Sequence, residues 1–416
     1  MRNGLLVLAV VVAGLVAQPA NILIPMDLTQ SDHLKAYGVV HRLLQRGQQA
    51  EWLLNYRGGS FLLPVDAQAT KECRLNGVKY EPVTGADVLR VRATIEESNM
   101  DAVQLERATE LAVYVPPTAD PWDDAVRLAL EYAGIDYDMV WDEEVLEGGL
   151  AKYDWLHLHH DDFTGQYGKF YTSYNNTDWY QAQVRLNRLT AKKLGFAKVS
   201  KMKLAAVAAI RQYMADGGML FAMCSATDTP DIAWAARNTD ICDRIFDGDA
   251  PDPEWRSRLD FSECLAFEGF QPVMDPYVYE HSDIDTYQEA TERGPDVYIS
   301  LFDFSAKFDP VPCMLTQDHV GLVREFLGQN CGFRRSRIKK SVVVMGELVN
   351  TEEVKYIHGN FGGGTWTFLG GHDPEDYAHR IGDPPTDLSL HKNSPGYRLI
   401  LNNVLFPAAE KKKLKT

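Results

Sequence analysis

Apolar and polar positions along the chain fall into blocks whose period switches between two and about 3.6 residues, the signatures of strands and helices. Residues 21–26 (NILIPM) read as a short apolar strand, and 27–32 (DLTQSD) as a polar turn. Leu34, Tyr37, His41 and Leu44 then recur on one face, which predicts a helix over 33–46 stopped by Gly47. Residues 50–56 return to a strand, 87–97 predict a helix and 111–115 another strand. Asp120 as cap and Pro121 at the first position open a helix that runs to 133, and Gly134 closes it. Strands follow at 138–141 and 154–158. Leu204, Val207, Ile210 and Met214 mark a helix ended by Gly217 and Gly218, and 219–223 (MLFAM) is a strand of the buried kind. It runs into Cys224-Ser225-Ala226, after which Thr229 and Pro230 open a further helix. Residues 341–345 resume the sheet, 365–369 lead into Gly370-Gly371-His372, and 397–405 predict a closing helix. Strands separated by helices of this length predict an α/β fold, a mostly parallel sheet with helices on both faces, interrupted by an irregular insertion.

The length, 416 residues, adds an expectation of two or three units at roughly 150 residues each. The expected division is a signal segment at 1–20, an α/β portion at 21–108, a core built from 109–239 and 340–408, the insertion at 240–339 and a basic tail at 409–416. The chain carries 42 Lys+Arg against 58 Asp+Glu, a net charge of −16, which argues against nucleic acid or an anionic membrane as partner. Arg2, the apolar run over 5–17 and the small residues Ala17 and Ala20 predict a secretory signal and an exported protein. No other stretch is long and apolar enough to span a membrane. Export would allow Cys73, Cys224, Cys242, Cys264, Cys313 and Cys331 to form up to three disulfides; none of them forms a C-x-x-C pair.

Four constellations carry candidate chemistry. Cys224 and His372 each follow a strand, where ligands of open α/β sheets gather; a histidine can hold a cysteine as thiolate, and Glu375 or Asp376 can orient that histidine. In HLHHDD, His157 and His159 share a strand face, and His159, His160, Asp161 and Asp162 offer donors for zinc or another divalent metal. At the first strand–helix junction, Asp27, Gln30, Asp32, His33 and Lys35 suit a small polar ligand, with capping by Ser31 or Asp32 as the bland alternative. The run 359–365 lacks the Lys-[Ser/Thr] ending of a phosphate loop and reads as a tight turn or flap.

The order of GMLFAMCSA (218–226) and GGHDPE (370–375) resembles the class I glutamine amidotransferase-like fold, including its ThuA-like branch. MDLTQSDHLKAYG (26–38), with FAMCSATDT and GGHDPEDY, is similar to a family of exported bacterial proteins often labelled asparagine synthetase B. The amidotransferase resemblance implies Cys224 as nucleophile, His372 and Glu375 as its partners, and a hydrolase acting on an amide or similar acyl compound, with backbone N–H groups beside Ser225 for the oxyanion. The chain departs from that pattern at Ala222, Ala226 and Asp228, and it has no S-G-G-x-D-S loop for ATP. Two other readings stand beside it. One is a metal-assisted hydrolase on the HLHHDD loop. The other is a binding protein for a small polar molecule or glycan, with Tyr277, Tyr279, Tyr287 and Tyr298 as stacking surfaces.

Overall fold

The computed structural model describes residues 19–117, 119 and 124–411. The apolar run over 5–17, the expected helix start at Asp120 and Pro121, and Lys412, Lys413 and Lys415 of the tail lie outside those residues.

Two sheets carry the described residues. The first is five-stranded and antiparallel throughout, in the order Glu81–Val83, Asn21–Ile24, Ser60–Pro64, Ala50–Leu54, Asp101–Leu105. Single helices join Asn21–Ile24 to Ala50–Leu54, Ser60–Pro64 to Glu81–Val83, and Glu81–Val83 to Asp101–Leu105; each joined pair runs in one direction but never side by side, so the expected parallel pairing fails here. In the second sheet, Gly364–Leu369, Met219–Met223, Trp155–Leu158, Leu111–Tyr114 and Asp138–Val140 run parallel. Beyond Gly364–Leu369 the order continues antiparallel through Glu353–Phe361, Val343–Leu348, Tyr298–Leu301 and Leu322–Arg324. The fold is mixed α/β, with parallel strands confined to one half of the larger sheet. The segment 240–339 is built into that sheet, since it supplies Tyr298–Leu301, Leu322–Arg324 and Phe333–Arg334.

The helical spacings are borne out: Leu34, Tyr37, His41 and Leu44 are all buried on helix His33–Gln45, and the periodic run lies on Val199–Ala215. Helix Ala125–Ala133 is capped by Asp124, whose side chain accepts from the backbone of Val126 and Arg127. The run 359–365 is the hairpin between Glu353–Phe361 and Gly364–Leu369.

One apolar core spans both sheets, from Ile22, Trp52 and Phe61 to Trp155, Phe221 and Leu401. At their junction the Arg398 guanidinium is fully buried. It donates to the Met26 carbonyl at 3.0 Å and the Gly58 carbonyl at 2.7 Å, and it lies 3.7 Å from Asp318. All six cysteines are free and buried, so the disulfides that export allowed are not formed. Each of several thiols is held locally instead: Cys242 by the Thr164 carbonyl, Cys264 by the Asp231 carbonyl and Cys331 by the Gly328 carbonyl.

Arg398→Ala would take the cationic neighbour from the buried Asp318 carboxylate and the Arg398 donor from the Met26 and Gly58 carbonyls. Urea unfolding should show a loss of about 3–5 kcal/mol, against less than about 1 kcal/mol for removing Arg90, whose ion pair with Asp87 lies at the surface.

Candidate functional site

Three neighbouring parallel strands in the middle of the larger sheet, Gly364–Leu369, Met219–Met223 and Trp155–Leu158, end side by side at their carboxyl ends. The backbone N–H of Cys224 donates to the Gly371 carbonyl at 3.1 Å, and that of Ala226 to the His159 carbonyl at 3.0 Å. These bonds place residues 159–160, 224–226 and 371–372 side by side. Gly371 is required here: its φ is +101°, and a Cβ would stand 2.5 Å from the Phe326 ring.

His159 is the hub. Its Nε2 lies 2.9 Å from Nδ1 of His372, so one imidazole donates and the other accepts. The His160 ring stands at 89° to that of His159, and one nitrogen from each of His159, His160 and His372 lies within 4.8 Å of the others. Behind them, Asp124 Oδ1 is 3.6 Å from His159 Nδ1 and 3.4 Å from His157 Nε2. Strand alternation puts residues 157 and 159 on the same face, and Asp124 reaches both from its helix N-terminus. Burial by itself would raise the Asp124 carboxyl, but His159 and His157 hold it well below the usual range. Burial pushes His159 well below its ordinary value, against the pull of Asp124, so the ring is neutral and a nitrogen lone pair is available for a metal. The His379 ring stacks on His372 at 4.5 Å, and its Nδ1 lies 3.0 Å from Asp376 Oδ2.

Cys224 sits at the strand-to-helix turn with φ +51°, in the left-handed region that non-glycine residues seldom adopt. Its Sγ accepts from the Gln329 backbone at 3.2 Å, and burial pushes the thiol up to about 11, so it is protonated at neutral pH. Ser225 follows it, fully buried.

The candidates from sequence thus separate. His159, His160 and His372 come together. Asp376 joins them through His379, whereas Glu375 is turned away to His391 at 2.9 Å, because Asp373 caps the turn through the Glu375 backbone. The expected Cys-His-Glu order is therefore rearranged around His372. Asp162 is held in its own loop by Thr164 and the Gly168 backbone, and Asp161 interacts with His160 while burial raises it to about 6. Asp27, Gln30, Asp32, His33 and Lys35 make the junction itself. Asp27 binds Arg57 and Thr29, and Gln30 holds the Pro25 and Lys79 carbonyls. Asp32 caps the helix at Lys35, His33 meets the Met26 and Asp27 carbonyls, and the Lys35 ammonium lies over the Tyr132 ring. Asp124 went unread in the sequence; its signal was a carboxylate at a helix start facing a strand that ends in histidines.

No family model and no curated protein matches this chain. Among solved structures it is similar to a cytoplasmic protein from Salmonella typhimurium, at 12% identity and TM-score 0.35, covering 73% of this chain and 100% of that one. It is also similar to a ThuA-like protein from Bacteroides uniformis, at 12% identity and TM-score 0.28, covering 70% and 91%. Likeness this remote transfers neither fold nor activity.

Asp161 gives a pH prediction. Its native value lies above the unfolded one, so its contribution favours the fold below about pH 4 and is lost as pH rises to about 6. Asp161→Asn should flatten that part of the stability–pH curve by up to about 3 kcal/mol. A curve unchanged in urea melts across that range would refute the assignment.

Proposed function

We propose that the protein is a metal-assisted hydrolase of an amide or similar acyl compound, with a divalent ion such as zinc held by His159, His160 and His372. The reading rests on the convergence of three imidazole nitrogens within 4.8 Å. Three imidazole ligands would leave room in a tetrahedral shell for water, and the ion would supply a nucleophilic hydroxide near neutral pH. The chain's own residues do the rest. Asp124 fixes the orientation of His159 from behind, as carboxylates do for histidine ligands, and Asp376 does the same for His379 against His372. The loop 161–168, tied down by Asp162, keeps His160 at the rim. Export through the amino-terminal apolar run belongs to the same proposal, since an extracellular or periplasmic hydrolase needs no ATP.

A second reading is favoured by the positive φ of Cys224, which is how a nucleophile is presented between a strand and a helix. There the thiol would attack the acyl carbon, with His372 as acid and base. The ThuA-like resemblance of GMLFAMCSA and GGHDPE belongs to this reading.

Elemental analysis of the purified chain should find about one divalent ion per chain, lost in His159→Ala and His372→Ala. Asp124→Asn should weaken its retention against chelator about 10–100-fold. Cys224→Ala should keep the ion and most of the activity. A chain free of metal whose turnover vanishes with Cys224→Ala would transfer the assignment to the thiol.

A further inference from the structure

Beside Cys224, and not used by either reading, lies a set of buried polar groups whose hydrogen-bonding capacity is unspent. Asp228 is 1% exposed, and only one of its oxygens has a partner, Ser282 Oγ at 3.3 Å. Asp285, 4% exposed, accepts from the Cys331 backbone through Oδ1 and leaves Oδ2 without a partner. Asn330, 2% exposed, interacts with Asp228, yet neither its Nδ2 nor its Oδ1 reaches a partner within bonding distance. The hydroxyls of Ser225 and Thr286, both fully buried, are also without partners. Native interiors satisfy such groups almost without exception, through protein, water or ligand.

The chemistry of the set is specific. Asp228 and Asp285 act on one another, and Asp285 acts on Cys224; among the described residues no Lys or Arg hydrogen-bonds to either carboxylate, while the His281 ring acts on Asp228 and the Lys355 ammonium interacts with Asp285. The Lys355 ammonium is committed to the Phe326 and Cys331 carbonyls. Two buried carboxylates with a neutral amide and two hydroxyls lack a cation with several N–H donors. We propose that Asp228, Asp285, Asn330 and Ser225 bind the primary ammonium group of an amino-bearing substrate beside Cys224. An ammonium offers three donors in a tetrahedral fan, matching two carboxylate oxygens and the Asn330 carbonyl. Burial raises Asp228 to about 6 and Asp285 well above its usual range, so a bound cation displaces a proton, and affinity rises with pH through that region. The groups facing this site include Asp162, His281 and Glu280 as well as Cys224 and Cys331.

The test is calorimetric titration of the full chain with glycinamide hydrochloride, set against glycolamide, in which a hydroxyl replaces the ammonium. The expected result is saturable binding of glycinamide, with glycolamide about tenfold weaker or more, and proton release near pH 6 seen as a buffer-dependent heat. Asp228→Asn should weaken glycinamide about tenfold without changing metal content, so failure here is distinguishable from failure of the hydrolase reading. Equal affinity for the two amides overturns the proposal, as does the absence of binding by either, which would mean that buried water alone fills the set. If Asp228→Asn does not fold, the wild-type comparison and its proton release decide.

Discussion

The candidate site depends on two backbone hydrogen bonds, from Cys224 to Gly371 and from Ala226 to His159. They continue the parallel ladder one step past the strands, where side chains stop alternating between core and surface and begin to face one another. The ladder fixes three chain segments at the spacing of hydrogen-bonded strands, about 4.8 Å, which brings imidazoles from two of them into contact. Gly371 makes that step feasible, because the chain must turn through a left-handed conformation against the Phe326 ring.

Burial does the electrostatic work. Imidazoles and carboxylates beyond the sheet are withdrawn from water, so each must find a partner or change its charge. Asp124 remains anionic because it faces two imidazoles from a helix N-terminus. His159 gives up its proton instead. Cys224 keeps its own. Within a few residues the same desolvation therefore favours a good metal ligand and a poor resting nucleophile, which is why the histidines rather than the thiol lead the functional reading.

Much of the fold was legible where periodicity was strong. Leu34, Tyr37, His41 and Leu44 mark their helix, and the apolar run before Cys224 marks its strand. What sequence could not give was direction. Strand Val343–Leu348 has the same apolar signature whether its neighbour runs parallel or antiparallel, so the sheet as a whole was expected to be mostly parallel. Residues 298–301 and 322–324 were read as insertion because short strands at a sheet edge, with exposed Tyr298 and Leu322, carry little alternation. At the site, His159, His160 and His372 were all picked out, but in two separate groups. Glu375 and Asp376 stand one residue apart, and only the turn made by Asp373 decides which of them faces the histidines.

The site's two principal histidines are 213 residues apart in sequence. Such a contact is among the most non-local that the chain makes, and closing so long a loop costs entropy before any local structure repays it. During synthesis the HLHHDD loop leaves the ribosome long before the segment bearing His372 and Arg398. The amino-terminal sheet waits for the same carboxy-terminal stretch, because Arg398 holds its Met26 and Gly58 carbonyls. Assembly of the site and docking of the two sheets are thus both late events, completed only when nearly all of the polypeptide has been made.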